Sequence, residues 1–196
     1  MKPVKFTTTE DVVAYAVKGA FRKIGIDGVD GAGKSTLAEK IGAAMHIKRI
    51  GLDEYLDQKR GGFLKHLNYP DIAAAVQCNA FVIEGVCLLE VLERLHCTVD
   101  LLIYVQRTHY GVWIHRDTCD IEGDVEKVIE RKREILRTFV IQDAMKQNKP
   151  ELDESVDLSE LNEELIRYHA RHKPHLKAQV LYRHDVHSAS NGNFME

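Results

Sequence analysis

The chain has no long apolar run, little cysteine and little net charge, and each shortage excludes a class of protein. No apolar stretch approaches the roughly 20 residues that cross a bilayer, and no signal-type apolar segment follows Met1. The four cysteines are dispersed, without a Cys-x-x-Cys pair, at Cys78, Cys87, Cys97 and Cys119. We therefore expect a cytoplasmic protein with reduced thiols, partly in the core, and no membrane partner.

The charges of the chain nearly cancel, with 27 Lys and Arg against 30 Asp and Glu and a formal net charge of −3. Such a chain offers no basic footprint, so nucleic acid is not expected as a partner. At 196 residues, 44% of them hydrophobic, and without internal repeats, it has the size of one domain with a real core. We expect a single domain over residues 1–196.

Residues 23–36 hold a glycine-rich loop between an apolar run and a helix-forming run. Its spacing, Gly, four residues, then Gly-Lys-Ser, is the phosphate-binding P-loop pattern in the required strand–loop–helix context. The glycines let successive N–H groups point at phosphate oxygens, and the following helix adds its positive end. The predicted nucleotide-binding residues are Gly28, Val29, Asp30, Gly31, Ala32, Gly33, Lys34, Ser35 and Thr36.

Two side chains of this loop have expected chemical roles. Lys34 would reach the β- and γ-phosphates of ATP, and the Ser35 hydroxyl would complete the shell of a Mg²⁺ ion. Asp27 and Asp30 flank the glycines and could stabilise the loop or face solvent and metal. The alternative interpretation is a glycine-rich turn that merely joins a strand to a helix.

Alternating apolar strands and helices predict an α/β fold, a parallel sheet covered on both faces. Five strands are expected, near residues 23–27, 47–52, 80–83, 99–105 and 179–182. Thr8 and Asp11 form a capping box before a helix over about residues 9–20. The other helices are expected up to residue 44, from residue 70, and over 88–95 and 158–172. Charged residues predict long solvent-facing helix over 107–147, then a loop at 150–157 and a frayed tail from 188.

Two carboxylates follow or end predicted strands. Ligands of parallel sheets lie beyond the carboxyl ends of the strands, so Asp53 and Glu84 are candidates for positioning Mg²⁺ or activating an acceptor. The alternatives are an exposed turn aspartate for Asp53 and a helix N-terminal residue for Glu84.

The assembly resembles the uridine kinase and phosphoribulokinase group of P-loop kinases over about residues 22–184. The similar pieces occur in family order. They are the glycine loop, Leu52-Asp-Glu-Tyr55, Val82-Ile-Glu-Gly85, Asp100-Leu-Leu-Ile-Tyr-Val105, His115-Arg-Asp117 and Tyr168 to Ala178.

The resemblance implies a P-loop fold with a helical lid at about 107–135, and an ATP- and Mg²⁺-dependent transfer of phosphoryl to a small alcohol. Asp53 would then be the base and Glu84 would support the metal. Lys34 and Arg116 would be catalytic, with Arg131 and Arg133 as second candidates in the lid. The implied acceptor-binding residues are Tyr55, Asn68 and Asp71.

The chain departs from that family on the acceptor side. Asn68 stands where the family has the aspartate that holds ribose hydroxyls. Only one short helix fits between Pro70 and the strand at 80–83, where uridine kinases have a longer insertion that recognises the pyrimidine. We therefore expect an acceptor other than a pyrimidine ribonucleoside.

Two other nucleotide-binding classes share fragments with the chain. The glycine loop also resembles thymidylate kinase, but that family's Asp-Arg-Tyr after the third strand is replaced by Ile83-Glu-Gly85. A GTPase-type switch would use Asp120-Ile-Glu-Gly123 and Asn148-Lys-Pro-Glu151, yet neither fragment follows a predicted buried strand. ATP is therefore the expected nucleotide.

His169, His172 and His175 fall at helical spacing, which raises the possibility of a metal site. No carboxylate or cysteine joins them at a ligand spacing, and Pro174 should end the helix. A solvated helix face is the expectation for these histidines, and likewise for the run from Arg131 to Arg133.

Overall fold

The computed structural model describes residues 2–57, 61–146 and 157–186. The expected frayed tail lies outside this range, as does the expected loop at 150–157 except for Asp157. The strands are β1 (Val4–Phe6), β2 (Lys23–Gly28), β3 (Lys48–Gly51), β4 (Phe81–Gly85), β5 (Leu101–His109), β6 (Val112–Trp113) and β7 (Val180–Asp185). The helices are α1 (Thr9–Lys18), α2 (Lys34–Met45), α3 (Tyr69–Ala75), α4 (Leu88–Arg94), α5 (Arg116–Cys119), α6 (Val125–Lys146), α7 (Glu160–His172) and α8 (Pro174–Lys177). Short 3₁₀ helices cover Leu52–Tyr55 and Leu64–His66.

The described residues form an α/β fold with a mostly parallel seven-stranded sheet in the order β1-β7-β5-β2-β4-β3, and β6 pairs with β5. All pairs are parallel except β5 with β6. β2 lies between β4 and β5, so the chain leaves it for one side of the sheet and later returns to the other. The carboxyl end of β2 is therefore a topological switch point, where ligands of open α/β sheets bind.

The expected number of five strands is wrong, because β1 and β6 complete a sheet of seven. β1 has three residues and lies at the sheet edge beside β7, while β6 has two residues and pairs antiparallel with β5. Strands this short carry no periodic pattern, and only their neighbours decide that they pair.

The expected helix over 107–147 is also wrong in its first third. β5 continues to His109, and a hairpin, α5 and a loop precede α6, which begins at Val125. Gln106 and Thr108 are buried polar residues of β5. The predicted strand ended at residue 105 because polar residues in a central strand do not match the apolar pattern.

Side chains alternate between two cores along each central strand, as a sheet covered on both faces requires. Ile24 and Ile26 of β2 pack with α1 and α2, while Phe81 and Ile83 of β4 pack with α3, α4 and α7. A small third cluster of Ile121, Ile129 and Ile166 joins α6 to α7. Cys87 and Cys119 are buried free thiols.

The N-terminal helix is confirmed as α1, and Thr8 is its N-cap as expected, but Asp11 accepts from the Thr8 hydroxyl rather than from the Thr8 backbone N–H that a capping box would use. The Asp11 N–H donates to Thr8 Oγ1 at 3.2 Å, and the Thr8 hydroxyl donates to Asp11 Oδ2 at 2.6 Å. Within the described part of the chain, no helix is both long and apolar enough to cross a membrane.

Candidate functional site

The glycine loop, residues 28–35, joins the carboxyl end of β2 to the first turn of α2. Gly31 and Gly33 have φ of +65° and +94°, a region that L side chains rarely adopt. Gly28 approaches β5 so closely that a Cβ there would lie 2.7 Å from the Val105 carbonyl oxygen. Backbone geometry therefore requires glycine at these places, and the loop leads into α2 with Gly33 as the N-cap.

Lys34 lies inside the loop rather than in solvent. Its Nζ donates to the Val29 carbonyl at 2.8 Å, and the residue is 7% exposed. Burial lowers the pKa of Lys34, opposed by the charges of Glu84, Asp27, Asp30 and Asp53. The ammonium is thus a nearly desolvated cation on which the charges of four carboxylates act, and its hydrogen bond to the Val29 carbonyl is one that an anion can replace.

Asp27 stabilises the glycine loop and does not face solvent, two alternatives that the sequence left open. The residue is fully buried, and its carboxylate accepts hydrogen bonds from the Gly28 N–H at 2.7 Å and from the Tyr168 hydroxyl of α7. Burial raises the pKa of Asp27 to about 6. Asp27 therefore anchors the loop to α7. Asp30 is exposed, and its Oδ1 accepts the Gly31 N–H at 2.8 Å.

Asp53 and Glu84 lie at the carboxyl ends of neighbouring strands, as expected. Asp53 is exposed in the 3₁₀ helix after β3, while Glu84 lies within β4 and is 3% exposed. Glu84 is not a helix N-terminal residue, since α4 begins only at Leu88. Arg49 Nη2 donates to Glu84 Oε1 at 2.7 Å, and the same guanidinium binds Glu54. The Arg49–Glu84 ion pair fixes the orientation of the Glu84 carboxylate.

The donors present fit a nucleotide-bound Mg²⁺ ion. Ser35 offers an exposed hydroxyl in the first turn of α2, and Asp53 and Glu84 offer carboxylate oxygens. Mg²⁺ bound to substrate phosphates takes oxygen ligands and usually one or two from the protein. Among the residues that the structure describes, no group of three or more His, Cys, Asp or Glu could hold a metal by itself.

Asn68 and Asp71 bind each other at the start of α3. Asn68 Oδ1 accepts the Asp71 N–H at 3.2 Å, and Asn68 Nδ2 donates to Asp71 Oδ2 at 2.9 Å. This arrangement is an N-cap. The Tyr55 carbonyl accepts the Asn68 N–H at 2.8 Å, so all three acceptor-side candidates adjoin. Their acceptor-binding role stays a prediction.

The three arginines predicted to lie in a lid differ in the side chains that bind them. Arg116 begins α5, with its side chain 74% exposed and its Nε 3.3 Å from Asp120. Arg131 is exposed on α6. Arg133 is not on a solvated face, because it is half-buried and bound to Glu130, Asp157 and Glu163.

Arg107 and His184 lie against the glycine loop and were not expected there. Arg107 Nη1 is 3.6 Å from where a Cβ on Gly31 would be, and His184 Nδ1 is 2.9 Å from the Ala32 carbonyl oxygen. They are register partners on β5 and β7. In the sequence-based prediction these two strands end at residues 105 and 182, whereas β5 ends at His109 and β7 at Asp185. Correct strand ends would have identified both residues, because ligands bind beyond the carboxyl ends of parallel strands.

The expected solvated face for His169, His172 and His175 is wrong, since all three are buried. His169 Nδ1 is 2.7 Å from the Leu165 carbonyl oxygen and His169 Nε2 is 2.8 Å from the Tyr104 hydroxyl. His172 Nε2 is 2.8 Å from Glu90 Oε2. Different partners hold them, so they form no common site; helical spacing could not reveal the polar partners that satisfy each ring.

No protein-family model matches the chain. No curated protein matches it either.

Proposed function

We propose that the chain is an ATP-dependent kinase with a P-loop fold, similar to the uridine kinases, that phosphorylates a hydroxyl of a small molecule. The acceptor classes considered are nucleosides, sugars and vitamin-like alcohols. The observation that carries the proposal is the glycine loop at the topological switch point, with buried Lys34 inside it and carboxylates around that lysine. A turn that merely joined two elements would not require a desolvated cation within it.

The loop would bind the phosphates through its backbone N–H groups and the N-terminal end of α2. Lys34 would exchange its bond to the Val29 carbonyl for oxygens of the β- and γ-phosphates. Arg107, beside Gly31, adds a second cation near the same place. Mg²⁺, when bound, would neutralise charge on the β- and γ-oxygens, held by Ser35 and supported by Glu84.

Asp53 would take the proton of the acceptor hydroxyl. The hydroxyl oxygen forms a bond to the γ-phosphorus as the bond to the β–γ bridging oxygen breaks, and ADP leaves. Asp53 is exposed at a strand end and its charge acts on Lys34, so it suits a base that faces an incoming acceptor. Catalysis of this kind is mostly positioning and charge neutralisation.

The test is a screen of nucleosides, sugars and vitamins for ADP release, with wild type and Lys34→Ala side by side. Wild type should phosphorylate at least one alcohol, and Lys34→Ala should lose turnover by orders of magnitude while its thermal unfolding stays cooperative. A folded Lys34→Ala variant with near-normal phosphotransfer would contradict the assignment of the loop.

Two alternative functions are tested by adding nucleoside monophosphates and GTP to this screen. A thymidylate-like kinase would phosphorylate a nucleoside monophosphate rather than an alcohol. A GTPase-type switch would prefer GTP, and its Asp120 to Gly123 fragment follows the short helix α5 rather than a strand. Its second fragment begins at Asn148 and lies outside the described residues.

A further inference from the structure

We propose that Arg49 is a positioning residue that presents the Glu84 carboxylate to nucleotide-bound Mg²⁺ and ties it to the 3₁₀ helix that carries Asp53. This inference rests on the proposed function, because it specifies how the metal and the base of that reaction are held relative to each other. Arg49 lies on β3, outside the glycine loop. It belongs to none of the motifs found in the sequence, so only the tertiary structure brings it to the site.

One guanidinium binds two carboxylates at this edge of the sheet. Arg49 Nη2 donates to Glu84 Oε1 at 2.7 Å, and Arg49 Nη1 donates to Glu54 Oε1. Glu54 directly follows Asp53 in the 3₁₀ helix, whereas Glu84 lies in β4. Arg49 therefore links the segment with the proposed base to the strand with the proposed metal support. A planar guanidinium holds both partners in a fixed geometry, which a lysine ammonium does not.

Gly51 leaves the space that this arrangement needs. It is the register partner of Glu84 between β3 and β4, and Arg49 lies two residues earlier on the same face of β3. A Cβ on Gly51 would lie 2.9 Å from Arg49 Nη2 and from Glu54 Oε1, and 3.1 Å from Glu84 Oε1. The three side chains thus meet over this glycine, and the guanidinium passes over it to reach the carboxyl end of the sheet.

Burial makes the Glu84 carboxylate depend on a cation. Its side chain is 5% exposed and that of Arg49 is 27% exposed. A buried carboxylate whose partner is removed is left as an uncompensated charge, which costs free energy. The charge of Glu84 also acts on Lys34, more strongly than the charge of any other carboxylate near that lysine. When Lys34 turns to the phosphates, Arg49 is the cation that stays with Glu84.

Arg49 has two opposite effects on a Mg²⁺ ion supported by Glu84. Its positive charge repels the ion, and its hydrogen bond occupies one of the two carboxylate oxygens. It also fixes the other oxygen and keeps the carboxylate from turning to Lys34, whose charge the phosphates need. Loss of a hydrogen-bonding partner of a metal ligand typically lowers metal affinity by about 10- to 100-fold, so we expect the orienting effect to dominate.

The first arm of the test measures metal binding rather than turnover. A fluorescent, non-hydrolysable ATP analogue is titrated into the full-length chain with EDTA, and Mn²⁺ binding to the complex is followed by EPR. Arg49→Met should bind Mn²⁺ about 10- to 100-fold more weakly than wild type, with unchanged affinity for the metal-free analogue. Arg49→Lys keeps a cation beside Glu84 but cannot hold both carboxylates, so it should recover part of the loss.

The control for this arm is Arg167→Met. Arg167 also binds two carboxylates, Glu126 and Glu163, but it joins α6 to α7 and should leave Mn²⁺ affinity unchanged. Tighter Mn²⁺ binding by Arg49→Met, or an equal loss of affinity for the metal-free analogue, would overturn the inference. So would an equal loss of Mn²⁺ affinity in the control. A wild-type chain that binds neither the analogue nor Mn²⁺ contradicts the proposed function instead.

The second arm displaces the guanidinium without removing a charge. Gly51→Ala should weaken Mn²⁺ binding in the analogue complex, because its Cβ occupies the place where Arg49 passes. In the background of Arg49→Met the same change should add little, since the added methyl group then meets no guanidinium. Fully additive losses in the double variant would show that the two residues act independently and would overturn the inference. This arm also stands if Arg49→Met does not fold.

The third arm separates the base from the metal. Glu54→Gln weakens the tie between Arg49 and the 3₁₀ helix but leaves the bond to Glu84 in place. With any acceptor that supports ADP release, kcat should fall several-fold because Asp53 is held less well, while Mn²⁺ affinity stays close to that of wild type. Glu39→Gln, at an exposed position of α2, should leave both unchanged. A wild-type kcat in Glu54→Gln would overturn the proposed tie to Asp53.

Discussion

At the scale of single residues, Asp53 allows an effect on turnover to be distinguished from an effect on ATP affinity. Its side chain is exposed after β3, whereas Lys34 and the loop backbone contact the nucleotide in the proposed complex. Asp53→Asn keeps the shape and loses the base, so turnover should fall by about 10²- to 10⁴-fold. Affinity for ATP, measured by titration with a fluorescent analogue, should change little. A parallel loss of affinity and turnover would make Asp53 a metal or structural residue.

Substitution of Gly33 tests whether the backbone geometry of the glycine loop is needed for ATP binding. Its φ is +94°, and a Cβ there would lie 2.7 Å from the His184 ring. Gly33→Ala should therefore lower the melting temperature and weaken ATP binding by at least tenfold. Gly123→Ala is the matched control, because Gly123 has a φ of +104° but nothing within 4 Å of the added Cβ. If both variants lose ATP binding equally, backbone strain rather than contact with His184 is the cause.

At the scale of elements, α7 contacts the sheet, the glycine loop and α6. Tyr168 binds Asp27, His169 binds Tyr104 of β5, and Ile166 packs against α6. The sequence predicted this helix to within two residues of its observed start. Its buried polar face was not predictable, because a histidine has the same helical spacing whether it faces solvent or a hydroxyl of another element.

His169 gives the helix a measurable pH dependence. Burial lowers the pKa of His169 to about 4, against about 6.5 in the unfolded chain. The unfolded state therefore binds the proton first, and the free energy of unfolding should fall by up to about 3 kcal/mol as pH falls from 6.5 to 4.

Urea denaturation between pH 4 and 7 measures this dependence. In His169→Gln, the fall in the free energy of unfolding that His169 causes should be absent. Asp27 has the opposite pH dependence. Burial raises its pKa to about 6, so its contribution to the free energy of unfolding falls as pH rises from about 4 to 6. Comparison of each variant with wild type separates the two. An unchanged slope in His169→Gln would contradict the assignment.

At the scale of the whole molecule, the connection between α3 and β4 bears on which acceptor the proposed kinase would use. Asn68 and Asp71 bind each other in the N-cap of α3, and only residues 76–80 separate α3 from β4. No base-recognition insertion fits in that connection. We expect uridine and cytidine to be poor acceptors, with kcat/KM below about 10⁴ M⁻¹s⁻¹, the low end for efficient enzymes. Steady-state kinetics that exceed this value for uridine would contradict the prediction.

The sequence by itself determined the features that depend on neighbours along the chain. The glycine loop, the strands β2, β3 and β4, and the Thr8 N-cap of α1 were all predicted near their observed positions. Local backbone geometry and apolar alternation specify such features, because they involve residues only a few positions apart.

Only the tertiary structure decided the features that depend on distant contacts. The two short strands pair because β7 and β5 lie beside them, and β5 continues through Gln106 and Thr108 because their backbones pair with β7. Arg107 and His184 reach the loop because parallel strands end at one edge. Arg49 and Glu84 bind each other across 35 positions of the chain, and a one-dimensional pattern contains no such contact.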